Sequence, residues 1–251
     1  MRAFDDLVAE ADTANVSGWD FSWLDGRASE ERPPWGYARL LAERLRTVDS
    51  ALDLDTGGGE VLGEAQSFPA VMVATEGWPP NLQQARATLG MRGVDVVRVA
   101  PGEKLPFPDA TFALVTARHP VAPDWREIHR VLKPGGSYFA QHVGPGSAFE
   151  LLEEFRGPLS EERQARDPSL ESAAARAAGL EITGLRTASC RMEFYDIGAV
   201  VWILRKCVWW VPDFSIDRYL VTLLRLDAQM RRGAPVVATS TRHLIDARRP
   251  D

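Results

Sequence analysis

Three consecutive glycines, Gly57, Gly58 and Gly59, directly follow the apolar run Ala51-Leu52-Asp53-Leu54, and nothing else in the chain limits its fold as tightly. Apolar side chains at 51, 52 and 54 suit a buried strand, and glycine lets the backbone turn sharply and approach a ligand. Glu60 to Ala65 then reads as the first turns of a helix. A strand, a glycine turn and a helix N-terminus in succession make a site of nucleotide size. Spacing narrows the choice of nucleotide. A dinucleotide fingerprint needs a third glycine where Leu62 stands, and a P-loop needs a Lys-Ser or Lys-Thr pair that is missing after these glycines.

Three more segments come in order. Val71-Met72-Val73-Ala74-Thr75-Glu76 is a second apolar strand ending in a carboxylate, and Gly77-Trp78-Pro79-Pro80 opens the next helix. Leu105-Pro106-Phe107-Pro108-Asp109-Ala110-Thr111-Phe112 precedes an apolar run at 112 to 117. Glu127-Ile128-His129-Arg130-Val131-Leu132-Lys133-Pro134-Gly135-Gly136 leads into another at 137 to 143. With strands also expected at 95 to 99, 181 to 191 and 241 to 248, and helices between most of them, the alternation implies a parallel sheet with helices on both faces.

Taken together, the acidic strand before a G-x-G turn, the carboxylate at 76, the L-P-F-x-D-x-x-F segment and the E-x-x-R-V-L-K-P-G-G segment resemble class I S-adenosylmethionine-dependent methyltransferases of the methyltransferase type 11 or UbiE-like group. The resemblance implies an α/β fold: a Rossmann-like, seven-stranded, mostly parallel sheet with an N-terminal lid and an α-helical insertion before the last strand. It implies one methyltransferase domain over 1–251, with a lid arm at 1–36, a cofactor-binding core at 37–195, a helical cap at 196–235 and the last strand within 236–251. Departures are visible too. Asp55 stands where the family has its first glycine, Pro101 where an Asp often meets the adenine amino group, and Ala113 where an Asp is common.

On the same basis, S-adenosyl-L-methionine is the expected cofactor, leaving as S-adenosyl-L-homocysteine, and Glu76 is expected to accept its ribose hydroxyls. Asp53, Asp55, Thr56, Gly57, Gly59, Gly77, Trp78, Gly102, Glu103 and Arg118, at or near strand carboxyl ends, complete the expected cofactor surface with Tyr37, at the start of the helix before the first strand. His119, before Pro120 at the end of the fourth strand, is the candidate general base, because an imidazole titrates near neutrality. Trp19, Trp35, His142, Tyr195 and Trp209 are candidate acceptor contacts, the aromatics through stacking. The arm and the insertion are expected to roof the acceptor chamber.

Composition excludes some alternatives. A formal net charge of -6 and a pI near 5.4 disfavour a nucleic-acid partner, which requires concentrated Lys and Arg. A small-molecule acceptor fits better; an rRNA base methyltransferase and a cofactor-binding protein without methyl transfer are the competing readings. The two cysteines, Cys190 and Cys207, form no metal-ligand spacing, and no metal site is expected. The N-terminus lacks an apolar signal core, and the run Ile197 to Leu204 is well short of the ~20 residues a spanning helix needs. A cytoplasmic protein with no membrane partner is expected, and its oligomeric state is left open.

Overall fold

The computed structural model describes residues 2–162 and 165–251. In chain order the elements are α1 (Phe4–Thr13), β1 (Ala28–Glu30), α2 (Tyr37–Leu45), β2 (Ser50–Leu54), α3 (Glu60–Gly63), β3 (Val71–Glu76), α4 (Pro79–Leu89), β4 (Asp95–Arg98), β5 (Phe112–Arg118), α5 (Trp125–Val131), β6 (Leu132–Val143), α6 (Phe149–Arg156), α7 (Pro168–Ala177), β7 (Glu181–Phe194), α8 (Ile197–Lys206), α9 (Leu220–Arg231) and β8 (Val236–Arg248). Among the described residues the sheet has eight strands in the order β1-β7-β8-β6-β5-β2-β3-β4, so it is one strand wider than the sequence implies.

Two compact units share this chain: residues 33–144, 166–188 and 242–251 form one, and 1–32, 145–165 and 189–241 the other. The larger unit is the Rossmann-like part. β2 pairs in parallel with β3 and β5, β3 with β4, and β5 with β6, whereas β8 runs antiparallel to β6 with His142 opposite His243. Because successive strand residues face opposite sides, Tyr138 and Ala140 join one apolar layer with Trp125, Ile128 and Ala175, while Phe139 joins another with Tyr37, Leu41 and Leu45. Asp167 caps α7 through the Ser169 amide at 2.7 Å with Pro168 in the first turn, as expected from the Asp-Pro pair.

The two downstream family-like segments prove to be halves of one staple. The Arg130 guanidinium donates to the carbonyls of Leu105 (3.0 Å) and Phe107 (2.7 Å), to Asp109 (2.9 Å), and to both oxygens of Glu127 (2.7 Å each). Glu127 in turn accepts from the Leu105 amide at 2.9 Å, and the Arg130 charge holds the Glu127 carboxyl below its ordinary range. Charge-assisted, bidentate bonding of this kind fixes the loop that enters β5.

In the smaller unit, α8 is buried along nearly its whole length and forms the core with Leu7, Val8 and Ala11 of α1. Arg205 and Lys206 donate to arm carbonyls: Arg205 to Ala14 at 3.1 Å, and Lys206 to Gly18 at 3.0 Å. Both cysteines are buried and lie outside any disulfide.

β1 is the unforeseen strand: Ala28, Ser29 and Glu30 carry no strand signal, and they extend only because β7 supplies an antiparallel partner. Around Trp19, Phe21 and Trp23 the Asp20 carboxylate accepts from the Ser22 amide (2.8 Å) and hydroxyl (2.9 Å), winding Ser22–Leu24 into a 3-10 turn. The segment after Gly146 contains α6, whose Leu151, Leu152 and Phe155 are buried. Ser215 opens a turn, and α9 begins at Leu220.

Candidate cofactor site

β2 and β3 end side by side, and the Glu76 side chain locks the two loops that leave them. Glu76 is buried, and its Oε2 accepts from the Gly57 amide at 2.9 Å while Oε1 accepts from the Trp78 amide at 2.7 Å. The carboxylate thus ties the glycine turn after β2 to the entry of α4. Each oxygen keeps a further lone pair, which is what a vicinal diol needs. Gly57 and Gly59 both have positive φ, 67° and 84°. Their roles differ: a Cβ on Gly59 would fall 2.7 Å from the Leu89 side chain, so that glycine serves the packing of α3 on α4. Gly77 is needed for another close approach, its hypothetical Cβ lying 2.7 Å from the Val99 carbonyl oxygen.

Asp53 lies beneath the turn, 5% exposed, and Oδ1 accepts from the Thr116 hydroxyl at 2.5 Å. The bond to Thr116 on β5 holds it. Burial pushes its carboxyl up to about 6, with the Thr116 bond opposing. Asp55 adopts φ 52°, the left-handed region that an L-residue enters at a cost of about 1–2 kcal/mol. Lost solvation, and then the nearby Glu76 charge, raise its carboxyl as well. Three carboxylates at two adjacent strand ends make a site that repels pyrophosphate and favours a cation. A sulfonium beside an ammonium matches that charge, so these residues fit S-adenosylmethionine.

The raised Asp53 value has a measurable consequence. Its folded value lies above the ordinary 3.8, so the folded state holds the proton more tightly than the unfolded chain. The associated stability is complete below that ordinary value and is lost as pH rises through about 6. Asp53→Asn keeps an acceptor for Thr116 without the charge. Thermal melts should show the variant more stable at pH 7.5 by about 1–3 kcal/mol, with the wild type's decline between those two values flattened.

His119 also has positive φ, 60°, and its amide donates to the Gln141 carbonyl at 2.7 Å. Its side chain ends a relay. The Trp35 indole N–H donates to Gln141 Oε1 at 2.7 Å, which turns the Gln141 amide nitrogen toward His119 Nε2 at 2.9 Å. An indole N–H only donates, so Nε2 accepts and the ring proton resides on Nδ1. Burial, and then the Arg118 charge, hold the imidazole well below its usual range. The Nε2 lone pair that proton removal would use is therefore engaged by Gln141. Trp35 and Tyr37 are core residues: Trp35 is 5% exposed, and Tyr37 stacks on Phe139 and donates to the Ala117 carbonyl at 2.9 Å.

Of the remaining expected residues, Thr56 donates its amide to the Thr75 carbonyl at 2.9 Å, and the Trp78 ring is exposed at the mouth of the turn. Gly102 has φ 80° in a turn that Glu103 closes by accepting from the Ala100 amide at 2.8 Å. Arg118 ends β5 with its side chain exposed. Trp19, Tyr195 and Trp209 belong to the smaller unit: the two indoles approach to 6.0 Å, and the Tyr195 hydroxyl bonds Ser29 and Glu193. His142 is buried, and beside it lie Glu171 and His243, which no motif in the sequence singles out. Only their convergence in space reveals them.

Residues 52–140 match the family model described as a methyltransferase domain. A curated relative, the uncharacterized methyltransferase YcgJ of Bacillus subtilis strain 168, is 29% identical over 139 residues, covering 52% of this chain. That alignment spans about half of the relative's length, 53%. The solved structure of YcgJ superimposes with a TM-score of 0.59 at 16% identity, over 86% of this chain and 98% of that one. A Bacillus halodurans C-125 protein assigned as a methyltransferase gives a TM-score of 0.62 at 20% identity, covering 85% and 97%. Geranyl diphosphate methyltransferase in complex with S-adenosylmethionine gives 0.50 at 17% identity, covering 84% of each chain.

Proposed function

We propose, from the match of residues 52–140 to a methyltransferase-domain model, transfer of a methyl group from S-adenosylmethionine to a small-molecule acceptor at O, N or C. The observation that carries this reading is the Glu76 carboxylate, clamped by two amides at the end of β3 with lone pairs left for a ribose diol. The cofactor brings an activated methyl group on a positively charged sulfur, so the protein's task is alignment and exclusion of water. Glu76 holds the ribose, Gly57 gives the backbone room to approach, and Asp55 pairs the amino-acid ammonium. Trp78 flanks the nucleoside, and Gly102 with Glu103 borders the adenine.

His119 serves here as a fixed hydrogen-bond donor through Nδ1–H rather than as a proton acceptor. The acidic balance favours a small acceptor over RNA, and no helix among the described residues is long and apolar enough to cross a membrane. A cytoplasmic site of action belongs to the same reading.

Incubation with methyl-labelled S-adenosylmethionine and a fractionated cell extract tests it. Label should enter the low-molecular-weight pool and not RNA; entry into RNA supports the rRNA reading, and none in any fraction supports a binding protein without transfer. His119→Asn should lower the rate less than tenfold. A loss of about 10²–10⁴-fold would restore the general base.

A further inference from the structure

We propose that His142, Glu171 and His243 form a binding site for a divalent first-row transition ion of the zinc type. The three ligand atoms lie within 4.8 Å of one another. They come from three elements of the larger unit: His142 from β6, His243 directly opposite it on β8, and Glu171 from the first turn of α7, which covers that face.

The geometry is close to that of a coordinated ion. Glu171 Oε2 is 2.5 Å from His142 Nδ1 and 2.9 Å from His243 Nε2, so both rings converge on one oxygen. Zinc–ligand bonds of about 2.0–2.2 Å at tetrahedral angles separate ligand atoms by about 3.3 Å. Both Glu171 contacts are shorter than that, so seating an ion moves the carboxylate back from the two rings. Two imidazoles and one carboxylate are a donor set suited to zinc and its neighbours, and three protein ligands leave one position for water.

The surroundings support the assignment. The histidine side chains are 2% and 1% exposed and that of Glu171 is 16%, so solvent reaches the cluster on the Glu171 side. The Tyr138 hydroxyl lies 2.9 Å from His142 Nε2, supplying the outer hydrogen bond that orients a metal-bound histidine. Trp125 stacks on the His142 ring with centroids 6.1 Å apart, limiting its rotation. Sequence spacing conceals the site, because its ligands stand 29 and 72 residues apart.

The test uses the full chain, free of any affinity tag and stripped with chelator, titrated with zinc chloride by calorimetry and with cobalt chloride by visible absorption. The expected result is one zinc per chain with micromolar or tighter affinity, a cobalt spectrum of tetrahedral type, and a higher melting temperature with zinc. Glu171→Gln and His243→Ala should each weaken zinc binding at least about a hundredfold, and Tyr138→Phe about tenfold. His129→Ala, on α5 outside the cluster, should bind as wild type does. Absence of stoichiometric zinc and cobalt binding to the folded wild type overturns the proposal. So does unchanged binding in folded Glu171→Gln.

Discussion

Glu76→Ala is expected to weaken S-adenosylmethionine binding by roughly tenfold to 150-fold, equivalent to about 1.5–3 kcal/mol, the usual loss for a charged hydrogen-bond partner. Two effects combine. The ribose hydroxyls lose their acceptor, and the Gly57 and Trp78 amides lose theirs, so the turn after β2 is no longer tied to α4. The second effect also predicts a fall in folding stability of about 1–3 kcal/mol from amides left unpaired. A double-mutant cycle separates the two. A 2′-deoxyribose analogue of S-adenosylhomocysteine should lose affinity for wild type and lose much less for the variant, because the shared contact is already gone. Equal losses for both proteins would mean that Glu76 shapes the turn without touching the ribose.

Trp202→Ala is expected to cost about 3–5 kcal/mol of stability, as large aromatic truncations in cores do. Trp202 is 1% exposed in the core of the smaller unit. It stacks on Trp23 with centroids 5.5 Å apart, meets the edge of Phe21 at 6.0 Å, and donates its indole N–H to the Asn15 carbonyl at 3.2 Å. Removing the ring leaves both a cavity and an unpaired carbonyl, and it strips the arm of the surface it lies on. Trp209, 53% exposed, supplies the contrast: its replacement by Ala should stay within about 0.5–1 kcal/mol. Denaturant melts of both variants decide the matter. Equal effects would contradict the burial on which the core assignment rests.

How legible each feature is in the sequence depends on how local its signal is. The glycine turn and Glu76 stand out because contiguous apolar runs position them: β2 and β3 are almost wholly buried, so each reads as an uninterrupted strand leading into a loop. Helix boundaries marked by a capping side chain, as at Asp167, are equally plain. Arg130 is visible as part of a motif, but its reach to Leu105 and Phe107 depends on tertiary approach. Trp35 and Tyr37 show the limit of reading aromatics near a site as ligand contacts, because both satisfy their polar atoms inside the core. Gln141 carries no signal, yet it decides which nitrogen of His119 bears the proton. β1 and the His142, Glu171 and His243 cluster are invisible for one reason: each exists only through partners far along the chain.

Calorimetric titration of the wild-type protein with S-adenosylmethionine and S-adenosylhomocysteine tests the proposed site at the ends of β2 and β3. The expected result is one site per chain with micromolar affinity for at least one of the two, about -8 kcal/mol, accompanied by a rise in melting temperature. A folded protein that gives neither heat nor a thermal shift with either ligand would contradict it.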